Sequence, residues 1–231
     1  MRSRDNLLIV EGKDDLRIVP ELVERAGVSW GPRGAEVVRI YEIDGYTNLA
    51  AQFRSQLKNA GLLRLGIIVD ADLDPMGRWR SIRDTLASEA VLPTAPPSLG
   101  FITNDTVSKK RLGVWMMPDN ATRGMMETFL LALRPESNPG LLAHVESSVD
   151  FAQSDHAATF LSAHRDKALI HTWLAWQDPP GRQMHDAVKQ AMFDATLPYA
   201  APFIAWFKDL YELSRGAAGE TIERSERVPE R

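Results

Sequence analysis

Residues 65–75 read LGIIVDADLDP, an apolar run that stops on Asp70 and is followed by Asp72 and Asp74 at alternate positions. Residues 5–15, DNLLIVEGKDD, have the same grammar: LLIV ends on Glu11, then come Gly12, Lys13, Asp14 and Asp15. A short Val/Ile-rich run without alternation is the pattern of a strand buried on both faces, as in a parallel sheet. In such sheets ligands bind just beyond the carboxyl ends of the strands, so acids placed there converge on one crevice.

Outward from these two runs, VVRIYEI (37–43) and LGVWMM (112–117) supply two more candidate strands. Residues 13–26 and 47–60 carry apolar side chains at helical spacing, and Gly27 and Gly61 stand where helix-ending glycines are expected. A third helix is expected over 77–90. Strands alternating with helices predict βαβ units and an α/β fold with a central, mainly parallel sheet of about four strands. The proline-rich stretch before GFIT (100–103) predicts an antiparallel hairpin with 112–117 at the sheet edge. Beyond Pro118 the pattern is helical, with segments at 122–133, 139–152, 155–176, 183–195 and 199–214. The expected division is an α/β domain over 1–120, a helical extension over 121–214 packed on it, and a flexible tail over 215–231.

The chain has 231 residues, 44% of them hydrophobic, enough for one sizeable core. A formal charge of -4 gives no global basic footprint, so nucleic-acid binding would need a local patch or bound cations. There is no cysteine, which excludes disulfides, thiolate metal sites and a Cys nucleophile; any metal must be held by oxygen or imidazole. The apolar run before Glu11 is far too short for a signal or spanning segment, so no membrane association and a cytoplasmic location are expected.

Glu11 and Asp15, four residues apart, bracket the turn after the first strand, and Asp70 ends the third. Asp72 faces the same ion as Asp70 only if the chain turns at Ala71, which Asp74 and Pro75 support. Clustered carboxylates repel one another unless a cation is present, and an all-oxygen cluster suits Mg²⁺ or Mn²⁺. Either motif alone is equally explained as helix-end or loop chemistry. The two together, each behind a strand, predict a metal site.

VEGKDD followed by IIVDAD resembles the Toprim domain of topoisomerases, primases, the 5S-rRNA maturation ribonuclease and the overcoming-lysogenization-defect (OLD) nucleases. EGKDD is similar to the maturation ribonuclease, and Glu11 with Asp15 is similar to the pairing in OLD-type sites. MPDN, then G-x-x-E, then K-x-x-x-H-T-W-L-A-W-Q resembles a compact bacterial Toprim-like family of unknown function. The resemblance implies a Toprim-like Rossmannoid fold and Mg²⁺ held by Glu11, Asp70 and Asp72 for phosphodiester chemistry, with Glu11 also catalytic. The usual DxDxxG is broken here, because Pro75 follows DADLD and the glycine comes at Gly77.

Asp119 and Glu127 follow the fourth run. Glu127 is expected to complete a second metal position, as a late helical acid does in OLD-type sites, and Asp119 is a further candidate; each would otherwise be a cap or a solvated acid. Lys167 and His171, four apart on one helical face, are expected to reach a single phosphate, Lys167 as a catalytic cation, unless they are a surface lysine and a packed histidine. The other histidines show no ligand spacing. Lys13, Lys109 and Lys110 are candidate nucleic-acid contacts or simply solvated charges.

The expected function is Mg²⁺- or Mn²⁺-dependent phosphodiester hydrolysis on DNA or RNA, with phage defence or DNA repair as its setting and a homo-oligomer allowed. The alternative is a non-catalytic Toprim module that binds metal and nucleic acid and regulates a separately encoded ATPase, since the chain has no P-loop of its own. A weaker third reading, a haloacid-dehalogenase-like phosphatase, takes Asp70 as nucleophile and Asp72 as acid/base.

Overall fold

The computed structural model describes residues 5–105, 109–135 and 139–213; the tail expected over 215–231 lies outside them. The apolar runs become β1 (Asn6–Val10), β2 (Arg39–Glu42), β3 (Arg64–Asp70) and β5 (Arg111–Met117). GFIT contributes β4 (Phe101–Asn104), so the sheet has five strands rather than about four. Their order is β2-β1-β3-β5-β4, with β2, β1, β3 and β5 parallel and β4 antiparallel at the edge. β4 is the edge strand expected from GFIT, four residues long and only partly buried. The fold is α/β.

Period-two alternation sends Leu8, Val10, Ile68, Trp115 and Met117 to one face of the sheet and Leu7, Ile9, Ile67, Val69, Val114 and Met116 to the other. The second face is covered by α2 (Leu49–Leu57), through Leu49 and Phe53, and by α3 (Pro75–Leu86), through Trp79, Ile82 and Leu86. The first is covered by α1 (Lys13–Arg25) and by the helices of the C-terminal half. These are α4 (Met126–Ala132), α5 (Pro139–Asp155), α6 (Arg165–Ala175), α7 (Met184–Lys189) and α8 (Ala201–Leu210). Their apolar side chains join the strands in one continuous core, so the helical half is packed onto the sheet. Among the described residues, no helix is long and apolar enough to cross a membrane.

Helix α8 sits directly on the sheet because Gly66 and Gly113 are register partners on β3 and β5. A Cβ on Gly113 would lie 2.6 Å from Leu210 Cδ2, and one on Gly66 would lie 2.4 Å from the Tyr211 hydroxyl oxygen. That hydroxyl donates to the Leu7 carbonyl at 2.8 Å, which fixes the end of the helix. Gly113→Ala is therefore expected to destabilise the fold by about 1–3 kcal/mol through overpacking. A denaturant midpoint unchanged from the parent would show that α8 can retreat from the sheet.

Four helical expectations need correcting. The segment over 155–176 is not one helix: α5 ends at Asp155, Ala157 takes a left-handed backbone (φ 53), and the Ala158 N–H returns to the Ala152 carbonyl. A short 3₁₀ turn, Ser162–His164, then leads into α6. The helices expected over 183–195 and 199–214 are shorter, Met184–Lys189 and Ala201–Leu210. Helix α3 starts at Pro75, two residues before its expected start, because the Asp74 side chain accepts from the Gly77 N–H at 2.9 Å and caps it.

Candidate functional site

All four parallel strands deliver residues to one crevice at their carboxyl ends. Gly12 to Asp15 follow β1, Asp44 and Gly45 follow β2, Asp70 ends β3 with Asp72 just beyond, and Met125 and Glu127 stand at the start of α4 after β5. With Glu11, His164 and Lys167 they line a cavity of about 330 Å³. The structure thus brings together Glu11, Asp15, Asp70, Asp72 and Glu127, with Lys13 and Lys167 on the same walls.

Each acid has a local reason for its position. Glu11 Oε2 accepts from the Asp70 N–H at 2.7 Å, tying the end of β1 to the end of β3. Asp15 Oδ2 accepts from the Gly12 N–H at 3.0 Å and closes the first turn of α1. Asp70 Oδ1 accepts from the Met126 N–H at 3.1 Å, and Glu127 Oε1 lies 3.1 Å from Lys167 Nζ. The chain turns after Ala71: Asp72 has φ 52 and exchanges two backbone hydrogen bonds of 2.9 Å with Gly124. Its carboxylate pairs with Arg78. Among the described residues, no group of three or more His, Asp or Glu is already arranged to hold a metal ion.

The electrostatic consequence is large. Burial pushes Asp15 up to about 7, the Gly12 N–H opposing and the Glu127, Glu11 and Asp14 carboxylates adding to it. Asp70 is raised well above the usual carboxylate range by burial and then by Asp15, Glu11, Glu127 and Asp72. Glu11 is raised by burial, against the pull of the Asp70 N–H and Arg78. Burial lowers the affinity of Lys167 for its proton, but the Glu127 carboxylate beside it wins and holds the ammonium above its ordinary value. The crevice has more carboxylates than its own cations neutralise, so Asp15 and Asp70 give up their protons only reluctantly.

Other expected site residues lie elsewhere. Asp74 is the exposed cap of α3 and does not line the crevice. Asp119 is absent from the crevice walls because its carboxylate accepts from the backbone N–H groups of Ala121 and Thr122 and from the Thr122 hydroxyl. His171 is exposed on α6 outside the crevice; one helical turn does not carry it to the wall that Lys167 occupies. Lys109 and Lys110 precede β5 and so stand at the opposite end of the sheet from the acids. Lys110 is buried, its ammonium donating to the Leu57 carbonyl at 2.9 Å, which gives it a structural task.

Two residues on or beside these walls escape the sequence reading. His164 falls inside the helix expected over 155–176; it actually stands at the N-terminal junction of α6, between the crevice and a neighbouring cleft. Arg78 belongs to no motif, yet it pairs with Asp72 and lies 3.8 Å above the Tyr46 ring centroid. No sequence signal marks it, because its partners are a ring on another element and a carboxylate aimed by a turn.

The family model described as a protein of unknown function (DUF3226) matches residues 5–212. The chain belongs to that family. Among solved structures, the C-terminal region of the OLD protein of Xanthomonas campestris pv. campestris is similar to it at 16% identity and a TM-score of 0.47, over 91% of this chain and 97% of that one. No curated protein matches the chain.

Proposed function

We propose that this DUF3226 chain is a Mg²⁺- or Mn²⁺-dependent phosphodiesterase of the Toprim type that acts on nucleic acid. The observation that carries this reading is the convergence of five carboxylates, from the ends of β1 and β3 and the starts of α1 and α4, on one crevice whose charge they leave largely uncompensated. The donor set is all oxygen and excludes thiolate, which fits a hard divalent cation in kind. Asp72 is paired with Arg78, whereas Glu11 and Asp15 each accept an N–H through one carboxylate oxygen and keep the other for a cation.

In this reading Glu11, Asp15, Asp70, Asp72 and Glu127 hold the cation or cations. A bound divalent ion would supply an activated water and charge stabilisation for an in-line displacement at phosphorus. Lys167, steadied by Glu127, offers its ammonium to the non-bridging phosphate oxygens as negative charge builds up there. Lys13 and His164 stand on the rim, where a polymer backbone would pass.

The test is to incubate the protein with circular DNA, linear DNA and RNA, with Mg²⁺, Mn²⁺ or EDTA, beside folded Glu11→Ala and Lys167→Ala variants. Expected are metal-dependent cleavage of at least one polymer, its loss in Glu11→Ala, and a fall of about 10²-fold in Lys167→Ala, the size of one missing electrostatic stabiliser. The second reading, a module that regulates a separate ATPase, is favoured by the Arg78 and Lys167 pairs, which neutralise two donors from within the chain. Metal binding without cleavage of any polymer would decide for it.

A further inference from the structure

Beside the carboxylate crevice lies a second cleft, of about 610 Å³, lined by Tyr46, Leu73, Gly77, Arg78, Ser81 and His164. Its volume is in the range of sites that hold nucleotide-sized ligands. The two cavities share Asp72 and His164, so Asp72 is the wall between them. On the far side of that wall Arg78 is held by the face of Tyr46 and by the Asp72 carboxylate.

The two partners differ in freedom. Arg78 is 14% exposed in its side chain and stacked, so its guanidinium plane is fixed; Asp72 is 48% exposed, with its backbone pinned to Gly124 by the two reciprocal hydrogen bonds. Because Asp72 lines both cavities, a change of its side-chain rotamer is the movement that would take its carboxylate from Arg78 into the crevice. That rotation would leave a largely desolvated guanidinium, on the wall of the second cleft, without its anion. A planar five-donor fork in that state is matched by a phosphate group.

We propose that Arg78 exchanges partners: it holds Asp72 in the cation-free protein, and takes a phosphate of the nucleic-acid backbone lying in the second cleft once Asp72 turns to the cation. This inference rests on the metal-dependent reading above and adds a phosphate subsite and a positioning residue to it. It makes cation and nucleic acid bind cooperatively, because each removes a competitor of the other.

The experiment measures Mn²⁺ affinity by the paramagnetic signal of the free ion in four proteins: the parent, Arg78→Gln, Asp72→Asn and the double variant. Arg78→Gln is expected to bind Mn²⁺ about fivefold more tightly, the size of one relieved, partly exposed ion pair, and the gain is expected to vanish when Asp72 is already Asn. A gain that persists in the Asp72→Asn background is the field of a deleted charge and overturns the exchange. With phosphorothioate DNA and RNA oligonucleotides in Mn²⁺, Arg78→Gln is expected to weaken binding and to lower the salt slope by about one, as for one lost phosphate contact. Oligonucleotide affinity equal to the parent's overturns the subsite. If Arg78→Gln does not fold, Arg78→Met carries the same cycle, keeping an aliphatic stem against Tyr46 and removing the charge. A parent protein that binds no Mn²⁺ overturns the metal reading itself; parent binding with no change in Arg78→Gln overturns only the exchange.

Discussion

Asp70→Asn is expected to melt several degrees above the parent protein in EDTA at neutral pH, and to lose metal-dependent cleavage by about 10³-fold or more, as befits a ligand at a catalytic metal. The two effects have one cause. Asp70 is surrounded by protein and by four other carboxylates, so its ionised form is disfavoured in the folded chain. An amide keeps the oxygen that accepts from the Met126 N–H and removes the charge. Relief of a charge in such a site is worth on the order of 1–3 kcal/mol, and each kcal/mol is about 2–4 °C for a chain of this size. A raised folded-state pKa gives stability that is complete below the unfolded value and is lost as pH rises. The advantage of Asn must therefore shrink as pH falls and vanish only below about 3, under the ordinary 3.8, where Asp70 is protonated in both states. An Asn variant less stable than the parent at neutral pH would mean that the crevice stabilises the Asp70 charge, and the case for a missing cation would weaken.

Such a site is expensive to fold, which explains why its framework is so legible in the sequence. Strands buried on both faces must be nearly continuous Val, Ile and Leu, so LLIV and LGIIV announce themselves, and acids that break such runs are conspicuous. The direction of the strands follows from the crossover helices, and it puts Glu11, Asp70 and Asp72 at one end. The same logic, carried through, excludes Lys109 and Lys110: residues before a parallel strand stand at the other end, as both do.

What was not legible depends on contacts between distant segments. The side of α6 that faces the crevice is set by its packing on α4, where the Thr128 hydroxyl donates to Asp166, and no periodicity separates Lys167 from His171. His164 stands beside the acids because α5 stops at a left-handed Ala157, a conformation for which alanine gives no sequence signal. Arg78 is invisible because a lone arginine in an amphipathic helix is usually solvated; its meaning comes from Tyr46, on another element, and from the turn that aims Asp72 at it. Lys110 misled because a lysine pair followed by arginine reads as surface charge, whereas its ammonium satisfies the Leu57 carbonyl at the end of α2.

The second large effect is on the pH dependence of folding. In EDTA the melting temperature is expected to fall as pH rises from about 4 to about 7, with Asp15 alone costing on the order of 4 kcal/mol across that window. Its folded value of about 7 lies above its ordinary 3.8, so the proton it holds in the native state is a stabilising ligand that alkali removes. Asp70 acts in the same direction. The lowered carboxylates Asp150, Asp194 and Glu36 act with the opposite sign, but they lose their contribution only as pH falls below about 4, so the two sets do not cancel. Saturating Mg²⁺ takes the place of the protons and is expected to flatten the slope, since a cation that binds only the folded, ionised crevice stabilises it most where the acids are charged. Differential scanning calorimetry at several pH values, with EDTA and with Mg²⁺, separates the possibilities. A flat EDTA profile would deny that Asp15 and Asp70 are raised, and a slope that Mg²⁺ leaves unchanged would place the cation somewhere other than among these carboxylates.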